Sequence, residues 1–131
     1  MARHKEHAEH NENLSIQLFE QKDFLDWANT TAFYSALHFV ACKILPSEYV
    51  GQHCETISDA MAALRCKNKH DATCAMVKIK LPVIYTDYVF LMDCSFTARY
   101  HDYLVSPEHA KICQKKLKKI KTICFPPEPE A

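Results

Sequence analysis

A histidine and a tyrosine close a long apolar run in the order His101-x-Tyr103, with Arg99 just ahead of them. An imidazole can take a proton from a sugar hydroxyl, and a guanidinium can pair with phosphate oxygens through parallel donors. Brought together, the two groups could act on a sugar phosphate. On a continuous helix Arg99 points about 200° round from His101. The two therefore work together only at an unwound helix end or across a subunit contact.

Other residues compete for the same role. Arg65 and His70, five residues apart, are a second arginine and histidine pair, but Arg65 precedes and His70 ends the polar stretch CKNKH, which reads as a solvated loop. Tyr34 and His38 lie four residues apart on one helical stripe; they are expected to be hydrogen-bonded polar groups of the core that can also face the cleft of His101 and touch substrate. Lys111, Lys115, Lys116, Lys118, Lys119 and Lys121 crowd one side of the last helix. Lys111 and Lys115 are candidate phosphate contacts, against the plainer reading of a solubilising face. His4, His7 and His10 are spaced so that two of them can hold a transition metal, yet near a terminus they read as solvated side chains.

The seven cysteines (42, 54, 66, 74, 94, 113 and 124) are odd in number and contain no Cys-x-x-Cys pair. They are expected to be buried, reduced thiols, with no metal and no cofactor. Lysine plus arginine equals aspartate plus glutamate, 16 against 16, so no global field draws the chain to a polyanion. No apolar run approaches the ~18 residues of a membrane span, and the N-terminal stretch MARHKEHAEHNENL lacks a signal-like apolar segment. The expectation is a soluble, cytoplasmic protein with no membrane partner.

The elements that must position these residues are helical. A single glycine, Gly51, is too few for a sheet protein that needs positive φ in its turns. Helices are predicted over about 4–20, with Leu14, Leu18 and Phe19 as its apolar edge, and 24–45, capped by Asp23. Within the second, Trp27, Thr31, Tyr34, His38, Ala41 and Leu45 form one stripe. A loop around Pro46 and Gly51 follows, then a helix from near Cys54 to Arg65 with Ile57, Met61 and Leu64 buried. Asp71 caps a stretch to Lys80, and Pro82 restarts a helix to Tyr100. Ser106-Pro107-Glu108 opens a last helix lined by Ala110, Cys113, Leu117 and Ile120. The fold class is all-α: a compact up-and-down bundle of five to six helices over residues 1–124, followed by a mobile proline-rich tail, 125–131.

Four pieces of this chain, His10-Asn11, DWANTTAFYSALHFV from Asp26 to Val40, His53 and ARYHDY from Ala98 to Tyr103, resemble the HEPN superfamily, in particular its small prokaryotic members. The resemblance implies an α-helical bundle, commonly a homodimer, that binds RNA or nucleotide. Many relatives of that kind are metal-independent ribonucleases of toxin or defence systems, some paired with a small nucleotidyltransferase antitoxin. It also implies that His101 and Tyr103 match the catalytic His-x-Tyr, as general base and orienting hydroxyl with Arg99 as a phosphate contact, while Phe96 stands where the catalytic arginine belongs. The expected function is therefore an RNA- or nucleotide-binding protein that is a weak or inactivated ribonuclease. The alternative is a non-catalytic helical interaction module binding a copy of itself or another partner.

Overall fold

Two buried serines fix how the first two helices meet. In the computed structural model, which describes residues 3–129, α1 (His4–Gln21) packs along α2 (Leu25–Ile44). Ser15 Oγ donates to the Ala28 carbonyl at 2.7 Å and Ser35 Oγ to the Ala8 carbonyl at 2.8 Å, while His4 and His38 meet at 2.9 Å. As the number rises on α1 it falls on α2, so the pair is antiparallel. Ala8 and Ser15 are the buried residues of α1, and such small side chains let the backbones approach closely enough for a hydroxyl to reach across. Leu14 is exposed, and Leu18 and Phe19 are half-buried.

After α2 the chain forms a hairpin, β1 (Ser47–Tyr49) and β2 (Gln52–Cys54), then α3 (Ile57–Leu64), α4 (Lys69–Lys80), a 3₁₀ turn (Pro82–Ile84), α5 (Tyr85–Tyr100) and α6 (Pro107–Cys124). Among the described residues there are thus six α-helices and one two-stranded sheet, and none of these helices is long and apolar enough to cross a membrane. The all-α bundle is the architecture observed. Helix α2 is its axis, packed against α1, α4, α5 and α6. Phe33, Phe39, Val40 and Ile44 of α2 meet Tyr88 and Leu91 of α5 and Leu117 and Ile120 of α6 in one core, all nearly free of solvent contact. Emptying such a site, as in Phe→Ala, typically costs about 3–5 kcal/mol. Phe125, assigned to the tail by the sequence, packs its ring 5.8 Å from that of Phe39 and so belongs to the bundle. Glu130 and Ala131 of that tail lie outside the described residues.

Several local expectations are corrected. The loop after α2 is the hairpin, with Val50 at φ 52° and Gly51 at φ 74°, so the single glycine serves a tight turn and a β-branched residue is held beside it in left-handed backbone. Because Cys54 pairs with Ser47, α3 starts later than expected, under a capping box in which Thr56 and Asp59 satisfy each other's amides. Asp23 does not cap α2: Lys22 closes α1 in left-handed conformation, and α2 begins only after Phe24, whose side chain makes no cap. Asn68, rather than Asp71, caps α4, with Asn68 Oδ1 accepting from the Asp71 amide at 2.8 Å. Ser106 caps α6 as expected, accepting from the His109 amide. The Trp27 stripe of α2 runs from the outside inward: Trp27 is half exposed, Thr31, Tyr34 and His38 are half-buried and Ala41 is covered, while Ala28, Ala32, Phe33 and Ala36 face the core. On α3 the buried residues are Ala60 and Ala63; Ile57, Met61 and Leu64 are half-covered.

Candidate functional site

Helix α5 ends at Tyr100, and its last turn carries the candidate residues out of the core. Ala98 is buried on the inner side, whereas Phe96, Tyr100, His101 and Tyr103 are exposed. The Phe96 ring lies 5.0 Å from that of Tyr100 and 5.3 Å from that of His101, all tilted, which makes a three-ring surface at the helix end. His101 still donates its backbone amide to the Thr97 carbonyl at 2.9 Å, and Asp102 donates to the same carbonyl; the second bond spans five residues and widens the final turn, where His101 is exposed.

Arg99 is the fixed element of this surface. Its Nη1 donates to the Tyr34 hydroxyl at 2.9 Å and its Nε to the Ser95 carbonyl at 3.3 Å. The guanidinium also lies 5.5 Å from the Tyr34 ring centre and 5.0 Å from that of Tyr100, within cation–π range of both. Tyr34 therefore holds the arginine that the sequence assigned to phosphate. Phe96 occupies, as a ring, the side of the helix nearer His101.

The other candidates separate. His38 does not join Tyr34 and Arg99. It sits against α1, 2.9 Å from His4 Nδ1 and stacked on His7 at 3.8 Å between centroids, in a cleft also lined by His10. Burial first, then the neighbouring His7 and His4, hold the His38 imidazole down to about 4. Of the three N-terminal histidines only His4 is half-buried, against His38; His7 and His10 are exposed as expected, His7 resting its ring on that of His38. Two ring nitrogens, of His4 and His38, come together here, but among the described residues no third donor joins them. His70 packs its ring 5.6 Å from Phe33, and Arg65 is the left-handed C-cap of α3. No described contact joins those two.

On α6 the lysines divide. Lys116 and Lys119 lie 3.0 and 2.8 Å from the two oxygens of the nearly buried Asp87, and Lys121 lies 2.9 Å from Glu12. Burial alone would raise the Asp87 carboxyl, but the two ammonium groups outweigh it and hold it below the usual carboxylate range. Lys111 and Lys115 are exposed and make no ion pair among the described residues.

One cluster was not anticipated. Cys94 of α5 meets His109 and Cys113 of α6; Cys94 Sγ lies 3.6 Å from His109 Nε2, and the three donor atoms fall within 4.8 Å of one another. Cys94 and His109 line a cleft of about 570 Å³ together with Asn29, Asp93, Thr97 and Asp102. The signal in the sequence was His109-x-x-x-Cys113, one helical turn apart on the inner face of α6. It falls outside a search for Cys-x-x-Cys, and its third member is on another helix.

No family model, curated protein or solved structure matches the chain. The chemistry of the site rests on its own geometry.

Proposed function

We propose that the closing end of α5 binds single-stranded RNA or a nucleotide, HEPN-like in character, with cleavage weak or lost. The observation that supports this reading is the exposed group of Phe96, Tyr100 and His101 rings with the Arg99 guanidinium fixed beside it by the Tyr34 hydroxyl. Rings offer faces to bases of any sequence, and an oriented guanidinium offers paired donors to phosphate. Tyr103, exposed just beyond the helix, extends the same surface. For cleavage, His101 as base needs a cation on the scissile phosphate; Arg99 is engaged on Tyr34 and Phe96 carries no charge. Arg99 from a second copy would supply it, which ties activity to the homodimer. A cytoplasmic setting, a toxin or defence role and a nucleotidyltransferase antitoxin belong to the same reading through the resemblance alone.

Binding and cleavage of a labelled single-stranded RNA in chelator-treated buffer test it. The wild type is expected to bind, and Tyr100→Ala to weaken binding by roughly 5- to 150-fold, the equivalent of ~1–3 kcal/mol for one stacked base. Cleavage is expected to be slow, absent in His101→Ala and raised in Phe96→Arg. Absence of RNA and nucleotide binding at low salt would defeat the proposal.

The second reading is an interaction module. It is favoured by the exposure of Trp27, Phe96, Tyr100, Tyr103 and Leu104, each at least half open to solvent. In that case Tyr100→Glu converts a dimer to a monomer in sedimentation without any RNA signal to lose.

A further inference from the structure

We propose that Cys94, His109 and Cys113 are the protein ligands of a zinc ion whose fourth position opens into the cleft at Asn29. Zinc prefers four ligands at tetrahedral angles, with Zn–S near 2.3 Å and Zn–N near 2.0–2.1 Å. Those lengths require a sulfur-to-nitrogen separation of about 3.6 Å and a sulfur-to-sulfur separation of about 3.8 Å. Cys94 Sγ and His109 Nε2 stand 3.6 Å apart, and Cys113 Sγ is within 4.8 Å of both. The sulfur-to-nitrogen spacing already matches that of two ligands on one tetrahedral ion.

The supporting elements are rigid. His109 and Cys113 project from successive turns of α6, and Cys94 from the facing turn of α5. Asp87 ties the same two helices further along through Lys116 and Lys119. Two thiolates and an imidazole are a soft donor set, which selects zinc over magnesium or calcium. Cys113 is fully buried and Cys94 nearly so, as metal thiolates commonly are.

Asn29 gives an independent reason to place a ligand here. It is 1% exposed and lines the same cleft, yet neither its amide nitrogen nor its oxygen has a partner. A buried carboxamide left without hydrogen bonds costs about 1–3 kcal/mol. A water on the fourth position of the ion would give it both something to accept from and something to donate to. Three protein ligands with a solvent position are the arrangement of a zinc site that can exchange a ligand, in contrast to a closed four-ligand site.

The test uses the full chain, stripped of metal and titrated with zinc or with cobalt(II) as a coloured probe. One ion per chain is expected, with the thiolate-to-cobalt charge-transfer band and tetrahedral d–d bands. X-ray absorption of the zinc-loaded wild type should show sulfur near 2.3 Å and nitrogen or oxygen near 2.0–2.1 Å. Cys94→Ser, Cys113→Ser and His109→Ala should each weaken cobalt binding by more than ~100-fold, beyond what loss of an outer-shell contact costs. Cys66→Ser and His7→Ala should leave it unchanged. Azide should shift the cobalt bands by taking the fourth position.

An ion bound through nitrogen and oxygen only, or retained in Cys94→Ser and His109→Ala, overturns the proposal. So does failure of the reduced wild type to take up either metal. Insensitivity to azide overturns the open position. The absorption experiment needs no variant, so a substitution that unfolds the bundle does not leave the question open. RNA binding at the end of α5 is read separately, and its failure would leave this site standing.

Discussion

His38 shows what one side chain records about its surroundings. Burial and two neighbouring imidazoles hold it at about 4, against 6.5 for an unhindered histidine, and His4 is lowered by burial and by His7. Between those values the unfolded chain takes up a proton that the folded chain refuses, so stability falls as pH drops from about 6.5 and the loss is complete near 4. The ring is half exposed, and solvent screening reduces the effect to the order of 1 kcal/mol. Urea midpoints measured between pH 7.5 and 4 should show this decline, and His38→Gln should flatten most of it. An equally steep decline in the variant would place the titration elsewhere. At this scale the sequence was legible only along one helix at a time. The closeness of His4 to His7 and of His109 to Cys113 follows from the helical repeat, whereas their meetings with His38 and Cys94 depend on which helices become neighbours. The same holds for Arg99, whose partner Tyr34 lies 65 positions away.

Helices α5 and α6 are held in register by an ion cluster as well as by apolar contact. Asp87, 5% exposed, faces Lys116 and Lys119, which reach it from successive turns while their stems stay partly in solvent. Removing the carboxylate frees two lysines that can return to water, so the cost is smaller than the ~3–5 kcal/mol of breaking a fully buried pair. Asp87→Ala is expected to lower unfolding stability by about 1.5–3 kcal/mol at pH 7, a range set by hydrogen bonds to charged groups. Because the folded carboxyl is held below its ordinary value, that contribution is present above about pH 4 and lost as pH falls further. Wild type and Asp87→Ala should therefore differ in denaturant midpoint at pH 7 and converge near pH 2; a constant difference would assign the effect to packing alone. Element positions were largely readable because the apolar repeats of α2, α5 and α6 are long and Ser106-Pro107 marks a start unambiguously. The exact caps were not, since Asn68 and Asp71 are chemically equal candidates for α4, and Asp23 is left out because of where α1 stops. The hairpin was unreadable for a related reason: Val50 resists left-handed backbone, and only the surrounding structure holds it there.

For the whole molecule, opposite charges cancel, so the RNA binding proposed above would have to come from a few local cations rather than from a field. The ion pairs of Lys116, Lys119 and Lys121 withdraw half of the lysine side of α6 from that task. Arg99 at the end of α5 remains, with Lys111 and Lys115 on the first turns of α6, which the short connector brings to the same end of the bundle. Three phosphate contacts to a single strand correspond to a slope of about −2 in log affinity against log salt, at ~0.7 per contact. Lys111→Ala/Lys115→Ala should reduce that slope to about −0.7, while Tyr100→Ala should lower affinity at every salt concentration and leave the slope alone. A wild-type slope much steeper than −2 would mean that the paired lysines are released on binding and that α6 is the principal track. A slope untouched by the double substitution would confine the nucleic acid to the ring surface beside Arg99.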